Sequence, residues 1–191
     1  MSKNKTKILS KSRELFEQYG YQKTTLTDIA KSVGKVKTAI YYYFSGKEEI
    51  FAALVRSEAE DFNKKLFSAV EKENDPITKI ETYVTARMQL MQSLAKRYHF
   101  LKKEFFELMD LVEQNRIESD LKEITYVTAI FEEGVQQQKM SVEDVSFSAK
   151  MLVNTLKGLE VQMYVTDQII VNKKELPQFI HFLLYGIISK N

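Results

Sequence analysis

Residues 39–51 read AIYYYFSGKEEIF. Three tyrosines and a phenylalanine in succession, followed by a lysine, pose a problem of orientation. A run exposed on every side would be an aggregation hazard. Set at 100° steps, as on an α-helix, residues 36–44 separate into two sides. Val36, Ala39, Ile40, Tyr43 and Phe44 share one, and Lys37, Thr38, Tyr41 and Tyr42 share the other. The first side predicts an anchor to neighbouring helices, and the second predicts an exposed face of hydrogen-bond donors and aromatic edges. Such a face suits a DNA major groove, where lysine reaches guanine acceptors or phosphate, threonine offers a hydroxyl or a methyl, and tyrosine hydroxyls reach phosphate. Lys47 falls in the first turn of the next helix, where free backbone N–H groups and an ammonium can hold one phosphate.

The flanking sequence supports this reading. Upstream, Ile8, Ser12, Leu15, Phe16 and Tyr19 recur at helical spacing and stop at Gly20. TTLTDIAKSVG follows, with Thr25 and Asp28 spaced as a capping box, an apolar stripe of Leu26, Ile29, Ala30 and Val33, and Gly34 as terminator. Two short helices separated by a Gly-containing turn have the layout of a helix-turn-helix, here over about residues 24–43. Ser45 and Glu48 predict a second capping box at the start of a longer helix. Charge marks the same segment: the first 47 residues hold ten Lys/Arg against three Asp/Glu, and the remainder 18 against 23. A basic head of net +7 joined to a body of net −5 suggests a polyanion-binding domain, residues 1–47, followed by a domain with another task, residues 48–191.

Six glycines and two prolines in 191 residues favour long helices, so the fold class expected is all-α. Helical patterns cover roughly 47–74, 76–97, 99–112, 115–139, 142–166 and 173–189, predicting a bundle of five or six helices in the body. There is no cysteine, which excludes disulfides and thiolate chemistry, and His99 and His181 lie far apart. They are read as surface or satisfied polar residues. No Ser/His/Asp set, carboxylate pair or glycine-rich phosphate loop stands out, so no enzyme, cofactor or metal is expected. The longest apolar run, Phe179–Ile188, is far short of a membrane span, and the N-terminus lacks the apolar core of a signal peptide; a cytoplasmic protein is expected.

The run LFEQYGYQKTTLTDIAKSVG, the aromatic IYYYF and the KEEIF that follows resemble, in order and spacing, the N-terminal domain of TetR-type bacterial transcriptional regulators over Ile8–Leu54. That resemblance implies that Thr25, Thr27, Tyr42 and Lys47 hold phosphates and that Lys37, Thr38 and Tyr41 face base edges. It also implies a homodimer on a double-stranded operator, most often a repressor released by a small molecule. Two departures stand out. Lys35-Val36 replaces the usual valine and serine, removing a capping hydroxyl, and Thr38-Ala39 replaces a frequent glycine and threonine.

In the body, Met88, Met91, Tyr98, Phe105, Met109, Tyr126 and Met151 are adaptable side chains that either line an effector pocket or fill core. The stretch 147–165 is apolar on two sides, which predicts burial on both. Leu152, Leu156, Leu159 and Met163 are assigned to a dimer interface with Phe179, Phe182, Leu183 and Ile187 of the last helix. The opposite side, with Met151, Asn154, Thr155 and Gln162, is assigned to the pocket of a predominantly apolar effector. Two other readings stay open: an effector-independent DNA-binding protein whose body only dimerises, and an all-helical enzyme or adaptor.

Overall fold

The computed structural model describes residues 2–165 and 174–186, and every regular element among them is a helix. In chain order these are α1 (Lys3–Tyr19), α2 (Leu26–Ser32), α3 (Lys37–Tyr41), α4 (Lys47–Val70), α5 (Pro76–Arg97), a 3-10 turn (His99–Glu104), α6 (Phe105–Gln136), α7 (Val145–Val165) and α8 (Leu176–Tyr185). The two helices expected at 99–112 and 115–139 are instead the short 3-10 turn and the single 32-residue α6. The expected joint, Glu113-Gln114, consists of good helix formers with no glycine or proline to break the ladder.

The chain divides into two compact units. One takes the chain up to Phe62 together with Leu94–Leu121; the other takes Asn63–Ser93 and the chain from Lys122 onward. The division expected after Lys47 followed charge, whereas compactness follows packing. Ile50, Phe51 and Leu54 of α4 and Leu108 of α6 share one buried cluster with Ile8, Phe16, Ile29, Ile40 and Phe44.

In the first unit, Ser2 caps α1 and Gly20 ends it at φ +84°, a conformation that a side chain disfavours. The expected capping box of α2 is present: the Asp28 N–H donates to Thr25 Oγ1 at 3.2 Å, and the Thr25 N–H donates to Asp28 Oδ2 at 3.0 Å. The Thr25 hydroxyl, which donates to Asp28 Oδ2 at 2.6 Å, and then the Thr25 amide hold the Asp28 carboxyl below its usual range. α3 starts at Val36 with no side-chain cap, as its missing hydroxyl implies. At the head of α4 the expected partner of Ser45 is displaced by one residue, because the Ser45 N–H donates to Glu49 Oε2 at 2.6 Å, leaving Glu48 out of the cap.

The second unit is centred on a buried ionic group. Arg87 of α5 is wholly buried and pairs through Nε with Glu123 of α6 and through Nη2 with Glu160 of α7, each at 2.6 Å. The Tyr83 hydroxyl donates to the same Glu123 oxygen at 2.6 Å. Burial works against the charge on Arg87, but Glu160 and Glu123 outweigh it and raise its pKa. Burial, with Glu123, drives the Tyr83 phenol well above its usual value. Closer to the surface, Asp75 accepts from Lys139 Nζ at 2.7 Å and from the Thr78 N–H at 3.0 Å, opening α5.

Breaking the buried group from one side strands charge in the core. Arg87→Met is therefore expected to cost about 3–5 kcal/mol in chemical denaturation, more than removal of the half-buried pair Lys79–Glu133. The Asp75 carboxyl is held at about 2, mainly by its hydrogen bond from Lys139 and then by the Thr78 amide. Its stabilising effect is present above the unfolded aspartate value and is lost as pH falls through about 4 towards 2. The difference in Tm between wild type and Asp75→Asn should accordingly shrink over that acid range and be constant near neutrality.

Candidate nucleic-acid interface and body cleft

The orientation problem posed by residues 39–51 resolves as the helical spacing predicts. Phe44 is buried and Tyr43 half-buried, its hydroxyl accepting from Asn4 Nδ2 at 2.9 Å. Tyr41 and Tyr42 are exposed, Tyr42 at 85%. The Lys37 ammonium lies 6.0 Å from the centre of the Tyr41 ring, and the Tyr42 ring meets Tyr43 edge-on at 5.0 Å. Thr25, Thr27, Lys37 and Thr38 are exposed as well. Six of the seven residues assigned to DNA thus lie on the surface, on α2, α3 and their flanks. The anchor is Ile40, wholly buried against the cluster that includes Ile29 and Phe16.

Lys47 differs. Its Nζ donates to the Tyr21 carbonyl at 2.8 Å and sits 4.1 Å from the centre of the Tyr21 ring. Burial lowers its pKa, opposed by the charge of Glu104. The ammonium is therefore engaged inside the unit, and contact with a phosphate requires it to turn away from Tyr21.

Glu104 is the functional residue that sequence reasoning missed. Its two carboxylate oxygens accept the N–H groups of Tyr21 at 2.7 Å and Gln22 at 2.9 Å, fixing the turn that leads from α1 into α2. Gln22 adds a bond from Nε2 to Glu107 at 3.1 Å. A side chain at position 20 would place its Cβ 3.2 Å from the Glu104 carboxylate, so glycine there admits both the backbone turn and the close approach. No local signal could have paired residues more than 80 positions apart. The Tyr21 ring is packed between Phe16 and Phe51, at 5.7 and 5.0 Å.

The residues assigned to an effector pocket are dispersed over both units. In the first, Tyr98 is buried and donates its hydroxyl to Glu58 at 2.8 Å, which also pairs with Arg13 and Arg97; Phe105 packs edge-on against Phe106, and Met109 is exposed. In the second, Met88 and Met91 are core, and Tyr126 stacks on Phe67 at 4.0 Å.

On α7 the two assigned faces differ in burial. Leu156 and Met163 are buried within the chain itself and Leu152 and Leu159 are half-buried, so this side packs the core and does not present a dimer surface. The side with Phe147, Met151, Asn154, Thr155, Gly158 and Gln162 is exposed. Both sides are apolar enough to need burial, and helical periodicity carries no label for which one meets its own chain. On α8, Phe182 and Tyr185 are exposed, Phe179 and Leu183 half-buried and Ile180 buried; Ile187 lies outside the described residues.

A cleft of about 680 Å³ opens within the second unit, lined by Ala69 of α4, by Glu81, Thr82, Thr85, Ala86 and Gln89 of α5, and by Leu176, Pro177, Ile180, His181 and Tyr185 of α8. The small side chains of Ala69, Thr82, Thr85 and Ala86 leave this space unfilled. None of the residues assigned to a pocket from sequence lines it.

An exposed donor-rich α3 braced by α1, α2 and α4 has the layout of a helix-turn-helix. Residues 8–54 match the family described as "Bacterial regulatory proteins, tetR family". Among curated relatives, the HTH-type transcriptional repressor AcnR of Corynebacterium diphtheriae is 37% identical over 59 residues, 31% of each chain. The biofilm operon negative regulator IcaR of Staphylococcus epidermidis is 43% identical over 53 residues, 28% of this chain and 29% of its own. The chain thus spans less than a third of the length of these two relatives. Whole-chain similarity is seen with solved structures. The fatty acid degradation regulator FadR of Bacillus halodurans has a TM-score of 0.75 at 17% identity, covering 100% of this chain and 99% of its own. FadR of Bacillus subtilis in complex with stearoyl-CoA has 0.70 at 19%, covering 96% and 99%. The match to the tetR family is thus confined to the N-terminal segment, and at these identities the full-length structures show a shared all-helical fold.

Removing the Glu104 carboxylate leaves two amides without their acceptor. In Glu104→Ala, hydrogen exchange at Tyr21 and Gln22 is expected to quicken by roughly tenfold or more, while the amides within α2 keep their protection.

Proposed function

We propose that the protein is a ligand-responsive transcriptional regulator of the repressor type, which binds a palindromic operator as a homodimer and leaves it when a small molecule occupies the body. The observation that carries this reading is the exposed set Lys37, Thr38, Tyr41 and Tyr42 on the second helix of a TetR-family domain. Thr25, Thr27, Tyr42 and, once turned out from Tyr21, Lys47 would hold phosphates, while Lys37, Thr38 and Tyr41 would face base edges. A basic segment of net +7 supplies the sequence-independent attraction.

Dimerisation is assigned to the exposed apolar sides of α7 and α8, with Phe147, Met151, Phe182 and Tyr185 at its centre and Gly158 allowing close approach, since a Cβ there would meet nothing within 4 Å. The cleft between α5 and α8 is the candidate effector site: its volume lies in the range of small-molecule pockets, and its walls are largely apolar. That a FadR structure of similar fold holds stearoyl-CoA supports a body that accommodates a ligand with an apolar part. No helix among the described residues is long and apolar enough to cross a membrane.

The test is DNA retention by the purified full chain. Affinity for its retained site should fall by about a thousandfold between 50 and 200 mM salt if six or more phosphates are neutralised per dimer. Lys37→Ala and Thr38→Ala should narrow the gap between specific and random DNA by about 1–3 kcal/mol per lost contact. A flat salt response, or equal losses on both DNAs, would count against the assignment.

A further inference from the structure

The two sides of α5 have opposite polar character. Tyr83 and Arg87, on one side, face Glu123 and Glu160. On the other, Glu81, Thr82, Thr85 and Gln89 line the cleft, and no hydrogen bond or ion pair among the described residues occupies their side chains. Residues 81, 85 and 89 repeat at intervals of four, so they form one row along the helix. Among the described residues of the lining, Glu81 is the only carboxylate, and none is a lysine or arginine. From α8 the cleft receives His181 and Tyr185, one turn apart, with ring centres 4.9 Å from each other.

We propose that the cleft binds an amphipathic amine: a cationic group at Glu81, hydrogen-bonded by Thr82, Thr85 or Gln89, with an apolar body against Ala86, Pro177 and Ile180. This rests on the cleft being the effector site and specifies the ligand that site takes. A carboxylate with no partner leaves a negative potential that a bound cation neutralises, and the faces of aromatic rings attract cations. An anionic ligand meets the reverse situation. Its charge would be brought to Glu81 with no basic side chain among the described wall residues to offset it. The stearoyl-CoA of the FadR structure carries phosphates, so in this cleft the sign of the preferred ligand's charge is opposite.

The experiment uses the full chain and three probes with the same tail, octylamine, octanol and octanoate, titrated by calorimetry. Octylamine should bind about threefold to tenfold more tightly than octanol, the range of an incompletely buried ion pair aided by a ring, and octanoate more weakly than either. Glu81→Gln should bring octylamine down to the level of octanol and leave octanol unchanged. Location is read independently from NMR: octylamine should shift the His181 ring protons and not those of His99, the only other histidine. Octanoate binding as tightly as octylamine, an unchanged amine-to-alcohol ratio in Glu81→Gln, an unmoved His181, or no binding of any probe at millimolar concentration would overturn the proposal. If octylamine binds as described but leaves DNA retention unaltered, the ligand assignment stands and the regulatory role of the cleft falls.

Discussion

Helices of seven and five residues do not persist alone in water, because each is shorter than the length at which propagation repays nucleation. The surface proposed to face DNA consists largely of two such helices. It exists because Ile29 and Ala30 of α2 and Ile40 and Phe44 at α3 are buried in a cluster floored by Ile8 and Phe16 of α1 and by Ile50, Phe51 and Leu54 of α4. Everything exposed on α3 depends on that anchoring. Tyr41 and Tyr42 face outward because their neighbours Ile40 and Phe44 are held inward, and a rotation of α3 would exchange donors for apolar groups at the surface.

The first unit is braced further by segments distant in sequence. Glu104 accepts the amides of Tyr21 and Gln22, and Lys47 donates to the Tyr21 carbonyl, so the peptide groups flanking Tyr21 are satisfied from both sides while its ring packs between Phe16 and Phe51. The turn entering the helix-turn-helix is therefore tied to residues of the 3-10 turn, through whose flanks the chain passes to and from the second unit. Within the second unit α5 separates a buried ionic core from a cleft whose polar row has no partner among the described residues. One helix thus serves stability on one side and offers recognition chemistry on the other.

Much of the fold was legible in the sequence because local rules apply to it. The glycine at position 20, the Thr25–Asp28 box, the missing hydroxyl at Val36 and the inward and outward division of the tyrosines follow from spacings of one to four residues, and the structure shows each of them. The split expected near residue 113 was wrong for an instructive reason: a polar stretch resembles a joint, but without a backbone breaker the helix continues through it. Likewise Ser45 found its acidic partner at Glu49 and not Glu48, since the sequence offers an acidic residue at both spacings and spacing alone does not choose between them.

What the sequence by itself determined is the class of element and the direction of side chains on short helices, since hydrophobic period, caps and charge are local properties of the chain. The tertiary structure decided which of two apolar sides of α7 is core, that Glu104 holds the amides of residues 21 and 22, and that a cleft opens beside Glu81 and His181. Each of these depends on the packing of helices far apart along the chain. Periodicity shows that a face must be covered, and only the assembled volume shows by what.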